Sequence, residues 1–154
     1  MIELSSYLIA NVEVLVVRDD GRYLLVVRSA EEEVAPGALA LPGGKVEAGA
    51  PLDDALEETA RREVREETGV DVEEVRYLRS YLFFTEQHEP VLDVIVLCRY
   101  RGGEAHPGDP REVAEVRWMT ADEILGRPDT PPWLRRNVER AEERRSVDRL
   151  QVAY

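Results

Sequence analysis

Apolar residues recur in short runs along most of the chain, a pattern that predicts strands separated by turns. The first two runs flank Asp19-Asp20-Gly21, a turn signal that predicts a hairpin. The run over 91–100 is nearly all apolar, which is typical of a strand buried on both faces. Asp93 within it is expected either to line a pocket or to be an edge-facing or hydrogen-bonded structural acid. The predicted strands cover 7–18, 23–28, 45–47, 71–85, 91–100 and 113–119, with a short extended piece over 38–41.

Three segments carry the start and stop signals of helices. The first helix is expected to begin at Asp53 or Asp54, either of which could cap it, and to end at Gly69. A capping box over 120–123 predicts a short second helix, and the prolines near residue 131 predict the start of a third. The residues expected on the packing side of the third helix are Trp133, Leu134, Val138 and Ala141.

Three carboxylates in the first predicted helix, Glu63, Glu66 and Glu67, stand at positions i, i+3 and i+4. These positions share one helix face, and Leu56 and Ala60 fall on the same side when residues are spaced at about 100°. Acids on a core-facing side need a partner, because burying an unpaired charge is costly. A divalent cation with oxygen ligands would supply that partner, whereas the alternative is a solvated, charged helix face. The geometry favours the metal site.

The residues around this helix resemble the Nudix box. That motif consists of a glycine, a glutamate in the following loop, and the run Arg-Glu-aliphatic-x-Glu-Glu-x-Gly-aliphatic. Gly44 and the nine consecutive residues 62–70 match it, and residues 41–47 resemble its usual lead-in. The chain is therefore identified as similar to Nudix hydrolases of the MutT-like kind.

One position of the motif departs from the family pattern. Counting forward from Gly44, the loop glutamate falls on Ala50, whereas counting back from Arg62 it falls on Asp54. We interpret this four-residue difference as an insertion over 50–53, in the loop before the helix. Whether Asp54, a shorter acid, replaces the missing glutamate stays open.

The resemblance implies both a fold and a reaction. The implied fold class is α/β, a Nudix-type α/β/α sandwich with a mixed sheet, in a single domain over 1–154. The implied reaction is hydrolysis of a pyrophosphate bond in a nucleoside di- or triphosphate derivative, by attack of water on phosphorus. Mg²⁺ or Mn²⁺ is the implied cofactor, because a divalent ion neutralises the diphosphate and lowers the pKa of the attacking water.

The resemblance also implies roles for individual residues. Glu63, Glu66 and Glu67 match the metal-binding glutamates, and Gly43 would add its backbone carbonyl to the metal. Arg62 would orient the glutamates by ion pairing, with a plain surface pair to Glu66 as the alternative. Glu66 and Arg62 are accordingly predicted to be catalytic. The predicted substrate-binding residues are Arg28, Gly44 and Lys45.

A further acid outside the motif, Glu112, is predicted to be catalytic. Family members often carry a carboxylate on the loop before the last sheet strand, and Glu112 stands there, six residues before Trp118. It would bind another metal ion or take the proton from the attacking water; the alternative is a solvated loop acid. Glu115 is the second candidate for this role, and Glu86 and Glu89 are the third.

Composition narrows the range of partners. Acidic residues outnumber basic ones by 32 to 20, which gives a net charge of −12. Broad binding of nucleic acid or anionic membranes is not expected, because both attract basic surfaces. No apolar stretch approaches the roughly 18 residues of a membrane span, residues 1–4 carry no basic leader, and Cys98 is expected to be buried. We therefore expect a cytoplasmic protein with a small-molecule nucleotide as partner, and leave open whether it forms a homodimer.

Two other functions fit parts of the pattern. A non-catalytic Nudix-like module that binds a nucleotide or sugar nucleotide would keep the fold, but it would not need all three helix carboxylates. Isomerisation of an isoprenoid diphosphate would need a Cys or His placed to protonate an alkene, and none is apparent. The motifs that mark hydrolases of ADP-ribose, dinucleoside polyphosphates and coenzyme A are also missing, which favours a nucleoside triphosphate or a small nucleotide diphosphate as substrate.

Overall fold

The computed structural model describes residues 7–152, in which seven strands form one mixed sheet with helices on both faces. The strands are β1 (Ile9–Val17), β2 (Tyr23–Arg28), β3 (Leu39–Ala40), β4 (Gly43–Lys45), β5 (Asp71–Phe84), β6 (Pro90–Gly102) and β7 (Val113–Met119). The helices are α1 (Ala55–Thr68), α2 (Ala121–Leu125) and α3 (Pro132–Val152). The expectation for residues 1–4, the lack of a basic leader, lies outside the described residues.

The centre of the sheet is the parallel pair β1–β6, and the other strand pairings in the described chain are antiparallel. The strand order is β3-β2-β1-β6-β5, with β4 also paired to β1 and β7 to β2. The predicted hairpin is confirmed by the antiparallel pairing of β1 with β2. The parallel pairing aligns Asn11 with Asp93, which are 82 residues apart in sequence.

The alternation of side chains along β1 divides the core into two layers. Val12, Val14 and Val16 pack on the face that is covered by α1. Leu15 packs on the opposite face, with residues of α2 and α3. Because successive side chains of a strand point to opposite faces, one central strand serves both layers. This arrangement confirms the predicted α/β/α sandwich with a mixed sheet.

The two ends of α1 are built differently. Gly69 adopts a φ of 73° and its N–H donates to the Arg65 carbonyl at 2.9 Å, so the predicted end of the helix is confirmed. Asp54 occupies the N-cap position with a φ of 51°, and its side chain makes no capping hydrogen bond. The expected carboxylate cap is wrong, because side-chain capping requires an extended N-cap backbone. In α2 the predicted capping box between Thr120 and Glu123 is present.

The strand expected over 45–47 is displaced toward the N-terminus. It begins at Gly43, because Gly43 and Gly44 pair with Glu13 and Val12 of β1. A side chain at Gly43 would overlap the Val12 carbonyl oxygen, so this pairing depends on glycine. The two glycines therefore form a strand that lies close to β1 and do not form a turn.

The burial of side chains in α3 and β6 agrees with the prediction from the sequence at most positions. Leu134, Val138 and Ala141 are buried as predicted, but Trp133 is 52% exposed, so its assignment to the packing side is wrong. Cys98 is buried, and its thiol contacts the Leu15 carbonyl at 3.6 Å. Within residues 7–152, no helix has both the length and the apolar character needed to cross a bilayer.

Candidate active site

The acidic face of α1 lies against the two glycines of β4. Glu63 packs on Gly44, where any side chain would overlap its carboxylate, and only 15% of the Glu63 side chain is exposed. Glu67 accepts a hydrogen bond from the Gly43 N–H at 3.0 Å. Glu66 lies farther out on the same face, with 59% of its side chain exposed. The glycines thus give the less exposed carboxylates room to approach the sheet.

Arg62 links these acids to β4. Its Nη1 lies 3.0 Å from a carboxylate oxygen of Glu63, 3.3 Å from one of Glu47 and 3.4 Å from one of Glu66. Its Nη2 donates to the Lys45 carbonyl at 3.2 Å. The guanidinium therefore contacts three glutamates and the carbonyl at the end of β4, which is more than the simple surface pair with Glu66 considered as the alternative.

Burial and mutual repulsion raise the pKa of two acids in this cluster. The pKa of Glu67 rises to about 8, chiefly because of burial, and the charges of Glu63 and Glu112 add to the rise. The pKa of Glu63 is raised first by burial and then by Glu66 and Glu112, against the opposing effect of Arg62. A bound cation would relieve the same repulsion by neutralising these carboxylates.

The carboxylates do not converge on one point in this conformation. Within residues 7–152, no group of three His, Cys, Asp or Glu side chains is arranged to hold a metal ion. In this conformation the Gly43 N–H binds Glu67, while Arg62 pairs with Glu63 and Glu66. The chemistry of the donors nevertheless fits, since carboxylate and carbonyl oxygens are the ligands that Mg²⁺ and Mn²⁺ prefer.

The loop between β6 and β7 is fastened to the C-terminal end of α1. The His106 N–H donates to the Thr68 carbonyl and the Gly108 N–H to the Glu67 carbonyl, both at 2.9 Å. A side chain at Gly108 would overlap the Glu66 carbonyl oxygen, so the loop can approach this closely only with glycine there. These contacts fix the position of the loop relative to the acidic face of α1.

Glu112, at the end of this loop, lies where its charge acts on the helix acids. It contributes to the raised pKa of both Glu63 and Glu67. Its carbonyl accepts from the Ser29 N–H and its N–H donates to the Asp109 carbonyl, both at 2.9 Å. The structure therefore brings Glu112 together with two glutamates of the motif.

The alternative acids for that role are placed differently. Glu115 is exposed on β7, and its carboxylate binds Arg117 at 2.7 Å, which lowers the pKa of Glu115. Glu86 and Glu89 are exposed in the turn between β5 and β6. The main charges that raise the pKa of Glu63 and Glu67 do not include these three acids.

The predicted substrate-binding residues lie at two places. Arg28 lines a cavity beside the acidic cluster, and its charge lowers the pKa of Glu67. The Arg28 guanidinium donates to the Val34 carbonyl at 2.8 Å and to the Glu32 carboxylate at 3.4 Å. Lys45 is exposed at the end of β4, next to Gly44. The insertion predicted over 50–53 is exposed and contains no helix or strand.

The cavity, of about 640 Å³, lies between the sheet and the start of α3. Gly43 lines it, so the cavity adjoins the backbone that holds Glu67. The stacked rings of Tyr81 and Phe83, with centroids 6.1 Å apart, line it together with Trp133. Its volume is that of a site for a small molecule.

Polar side chains from four strands, β1, β2, β5 and β6, and from α3 also line the cavity. Asn11 Nδ2 donates to Asp93 Oδ1 at 2.9 Å, and the Asp93 carboxyl acts on the buried carboxyl of Glu13. Burial first, and then Asp93, raise the pKa of Glu13 well above its usual value. Arg79 Nη1 donates to Asn137 Oδ1 at 2.7 Å. Asp93 therefore both lines a pocket and is a hydrogen-bonded structural acid.

Sequence reasoning missed most of this lining. Asn11 and Glu13 interrupt an apolar strand at alternate positions, which was a signal for a polar patch on one face. For Arg79 and Asn137 no local signal exists, because their partners come from distant elements.

Known proteins share both the sequence pattern and the fold. A family model described as the NUDIX domain matches residues 8–141. The uncharacterized Nudix hydrolase YfcD of Salmonella typhi is 37% identical over 136 residues, covering 80% of this chain and 70% of that protein. The NAD-capped RNA hydrolase NudC of Stutzerimonas stutzeri is 36% identical over 118 residues, covering 75% of this chain but 37% of that protein. The crystal structure of the MutT protein from Methanosarcina mazei Go1 has a TM-score of 0.73 and 27% identity, covering 93% of this chain and 99% of that one.

Proposed function

The chain belongs to the NUDIX domain family, and from that premise we propose that it hydrolyses a pyrophosphate bond in a nucleoside di- or triphosphate derivative with the help of a divalent cation. Its family makes it a Nudix pyrophosphohydrolase, which acts on nucleotide derivatives. One observation carries the proposal for this chain. Glu63, Glu67 and Glu112 form a cluster of repelling carboxylates beside a cavity of small-molecule size.

The acidic face of α1 is proposed to hold the cation. Glu63, Glu66 and Glu67 would bind it, together with the backbone carbonyl of Gly43. A bound Mg²⁺ or Mn²⁺ ion supplies charge neutralisation at the diphosphate and lowers the pKa of the attacking water. Arg62 keeps the first two glutamates oriented toward β4 through the ion pairs described above.

Glu112 is proposed to take the proton from the attacking water. It belongs to the loop before β7 and not to α1, and its charge acts on Glu63 and Glu67. Arg28, Gly44 and Lys45 are proposed to contact the substrate. Arg28 does so from the cavity and Lys45 from the exposed end of β4. With this division of roles, the diphosphate would lie between the acidic face and the cavity.

The test is hydrolysis of a panel of nucleotides with Mg²⁺ or Mn²⁺, before and after chelation with EDTA, with release of phosphate and pyrophosphate as the readout. We expect strict dependence on the cation. We also expect Glu66→Gln and Glu67→Gln to lower kcat by about two orders of magnitude or more. Glu58→Gln is the matched control, because Glu58 is exposed and pairs with Arg61 at 2.9 Å.

Two results would overturn the proposal. Full turnover in EDTA would exclude a metal-dependent reaction, and equal losses in all three variants would remove the special role of the acidic face. If nucleotides bind but none is hydrolysed, the protein acts instead as a non-catalytic nucleotide-binding module.

A further inference from the structure

We propose that two copies of this chain associate through the outer edge of β5, where residues 80–84 of each copy pair as antiparallel strands about a twofold axis. β5 is the last strand in the sheet order, and its strand partner within residues 7–152 is β6 alone. The backbone N–H and C=O groups on its other edge form a template for a further strand. The inference concerns assembly, so it does not depend on the proposed function.

The two halves of β5 differ in how their outer edge is protected. The half over 71–79 carries charged side chains and all the irregularities in the pairing with β6, and Arg144 donates to the Tyr77 carbonyl at 3.4 Å. Charges and bulges are devices that keep a sheet edge from pairing with another chain. Residues 80–84 pair regularly with β6 and include no charged side chain. This half of the edge is therefore left open to a partner strand.

The open half of the edge is apolar on both faces of the sheet. Its four large hydrophobic side chains are between 37% and 65% exposed: Tyr81, Leu82, Phe83 and Phe84. Tyr81 and Phe83 line the cavity, whereas Leu82 and Phe84 point to the opposite face because side chains alternate along a strand. Leu92, which is aligned with Leu82 on β6, packs in the layer covered by α1. A ligand in the cavity would cover one face only, but a strand added at the edge brings side chains to both faces.

A second copy of the chain fits this edge by symmetry. A twofold contact places the same patch on both sides, and two identical strands related in this way can pair antiparallel. With the axis at residue 82, Arg76 and Arg79 of one copy come alongside the turn that carries the partner's Glu86 and the partner's Glu89. Arg76 pairs with Asp148 at 3.1 Å but keeps 52% of its side chain exposed. Neither glutamate forms an ion pair within the described part of the chain, so the contact joins complementary charges at both ends.

The area of the patch is sufficient for a reversible dimer. Large aromatic side chains bury roughly 150–250 Å² each, so covering five side chains that are about half-exposed, the four above and Tyr77, removes about 500 Å² per copy. The pair therefore buries about 1,000 Å² before the backbone edges are counted, which is near the lower limit of about 1,000–1,200 Å² for specific interfaces. We expect a dimer that dissociates in the micromolar range.

The first test is sedimentation velocity of the whole chain between about 1 and 100 µM, combined with hydrogen exchange at the same concentrations. The mass is expected to rise from 17.5 kDa toward twice that value, and the amides of residues 80–84 should become more protected as it does. A monomer at every concentration would overturn the inference. A monomer whose residues 80–84 are protected at all concentrations would overturn it too, because the edge would then be covered from within the same chain.

Two variants and a control locate the interface. Leu82→Lys places like charges beside the axis and should weaken association by about tenfold or more. Phe84→Lys, at a position that is 65% exposed in the monomer, should do the same because pairing would bury an unpaired charge. Leu52→Lys is the matched control, since Leu52 is 55% exposed and Leu82 is 51% exposed, but Leu52 lies in the loop before α1.

The thermal midpoint of each variant checks that it folds, and either β5 variant is enough for the comparison with the control. The expected result is loss of the dimer in the folded β5 variants and an unchanged dimer in Leu52→Lys. An unchanged dimer in a folded β5 variant would place the interface elsewhere and overturn the inference. Equal weakening in Leu52→Lys would also overturn it, because the effect would then come from added charge and not from the edge of β5.

Discussion

The carboxylate of Glu63 lies directly against Gly44, with no space between them for a side chain. Gly44 is not among the residues with positive φ, so the need for glycine is steric and does not come from backbone conformation. This contact joins α1 to β4 next to the hydrogen bond between Gly43 and Glu67. The position of the acidic cluster therefore depends on the absence of a side chain in β4.

Gly44→Ala should lower kcat by about two orders of magnitude, because displacing a catalytic group by roughly 1 Å can cost that much. Gly49→Ala is the matched control, since a methyl group at Gly49 would meet no atom within 4 Å. The measurement is steady-state kinetics at saturating cation, with the thermal midpoint of each variant as a check on folding. Similar activity in the two variants would show that the contact between Glu63 and Gly44 does not position the cluster.

Glu112→Gln should lose about tenfold or more in kcat, because general-base catalysis typically contributes about 10²–10⁴. Glu115→Gln should stay close to wild type, since Glu115 is bound to Arg117 on an exposed strand surface. The two variants are compared across pH at saturating cation. An unchanged rate and pH profile for Glu112→Gln would exclude Glu112 as the base.

Leu134→Ala should lower the free energy of unfolding by about 2–5 kcal/mol, because it removes a buried side chain and leaves a cavity. Trp133→Ala, at the neighbouring position, should cost much less, because that ring is half-exposed. Urea denaturation of both variants provides the comparison. A larger loss for Trp133→Ala would place the tryptophan in the core after all.

Tyr23 should make stability fall at high pH. Its buried hydroxyl donates to the Glu142 carboxylate at 3.0 Å, and burial raises the pKa of Tyr23 to about 12. An unfolded tyrosine titrates at about 10, so the stability due to the neutral phenol is full below that pH and is lost as pH rises through about 12. Between about pH 9 and 11, wild type should lose about 1 kcal/mol more than Tyr23→Phe in urea denaturation. Equal losses would contradict this assignment.

The sequence predicted those elements whose signals are local. The bounds of β2 and β7 agree with the prediction, as does the end of α1 at Gly69, because apolar runs and a left-handed glycine act within a few residues. The predicted cap at Asp54 is absent because the Asp54 backbone adopts a left-handed conformation, which the sequence does not reveal. The strand at β4 was misplaced by two residues, because the pairing of Gly43 and Gly44 with β1 depends on topology and gives no local signal in the sequence.

The candidate site also contains residues that local sequence signals predict and residues that only the folded topology brings together. The acidic face of α1 follows from helical spacing, so Glu63 and Glu67 could be named from sequence alone. The cavity depends on pairing between distant strands, which brings Asn11 to Asp93 across 82 residues. Trp133 was assigned to the core because it is apolar, although it lines the cavity from the start of α3. Such contacts depend on topology, and strand pairing was not readable from the pattern.

The parallel pairing of β1 with β6 also sets the order in which the protein can assemble on the ribosome. Residues 9–17 pair along their whole length with residues 91–99, whereas β1 shares a single aligned pair, Val17 with Tyr23, with β2. A chain made from its N-terminus therefore has no central partner for β1 until β6 has emerged. Because β4 is held by β1 and the acids of α1 rest on β4, the cluster becomes fixed only at that stage. Until then the central edge of β1 lacks its full-length partner, and an unpaired strand edge is a template for aggregation.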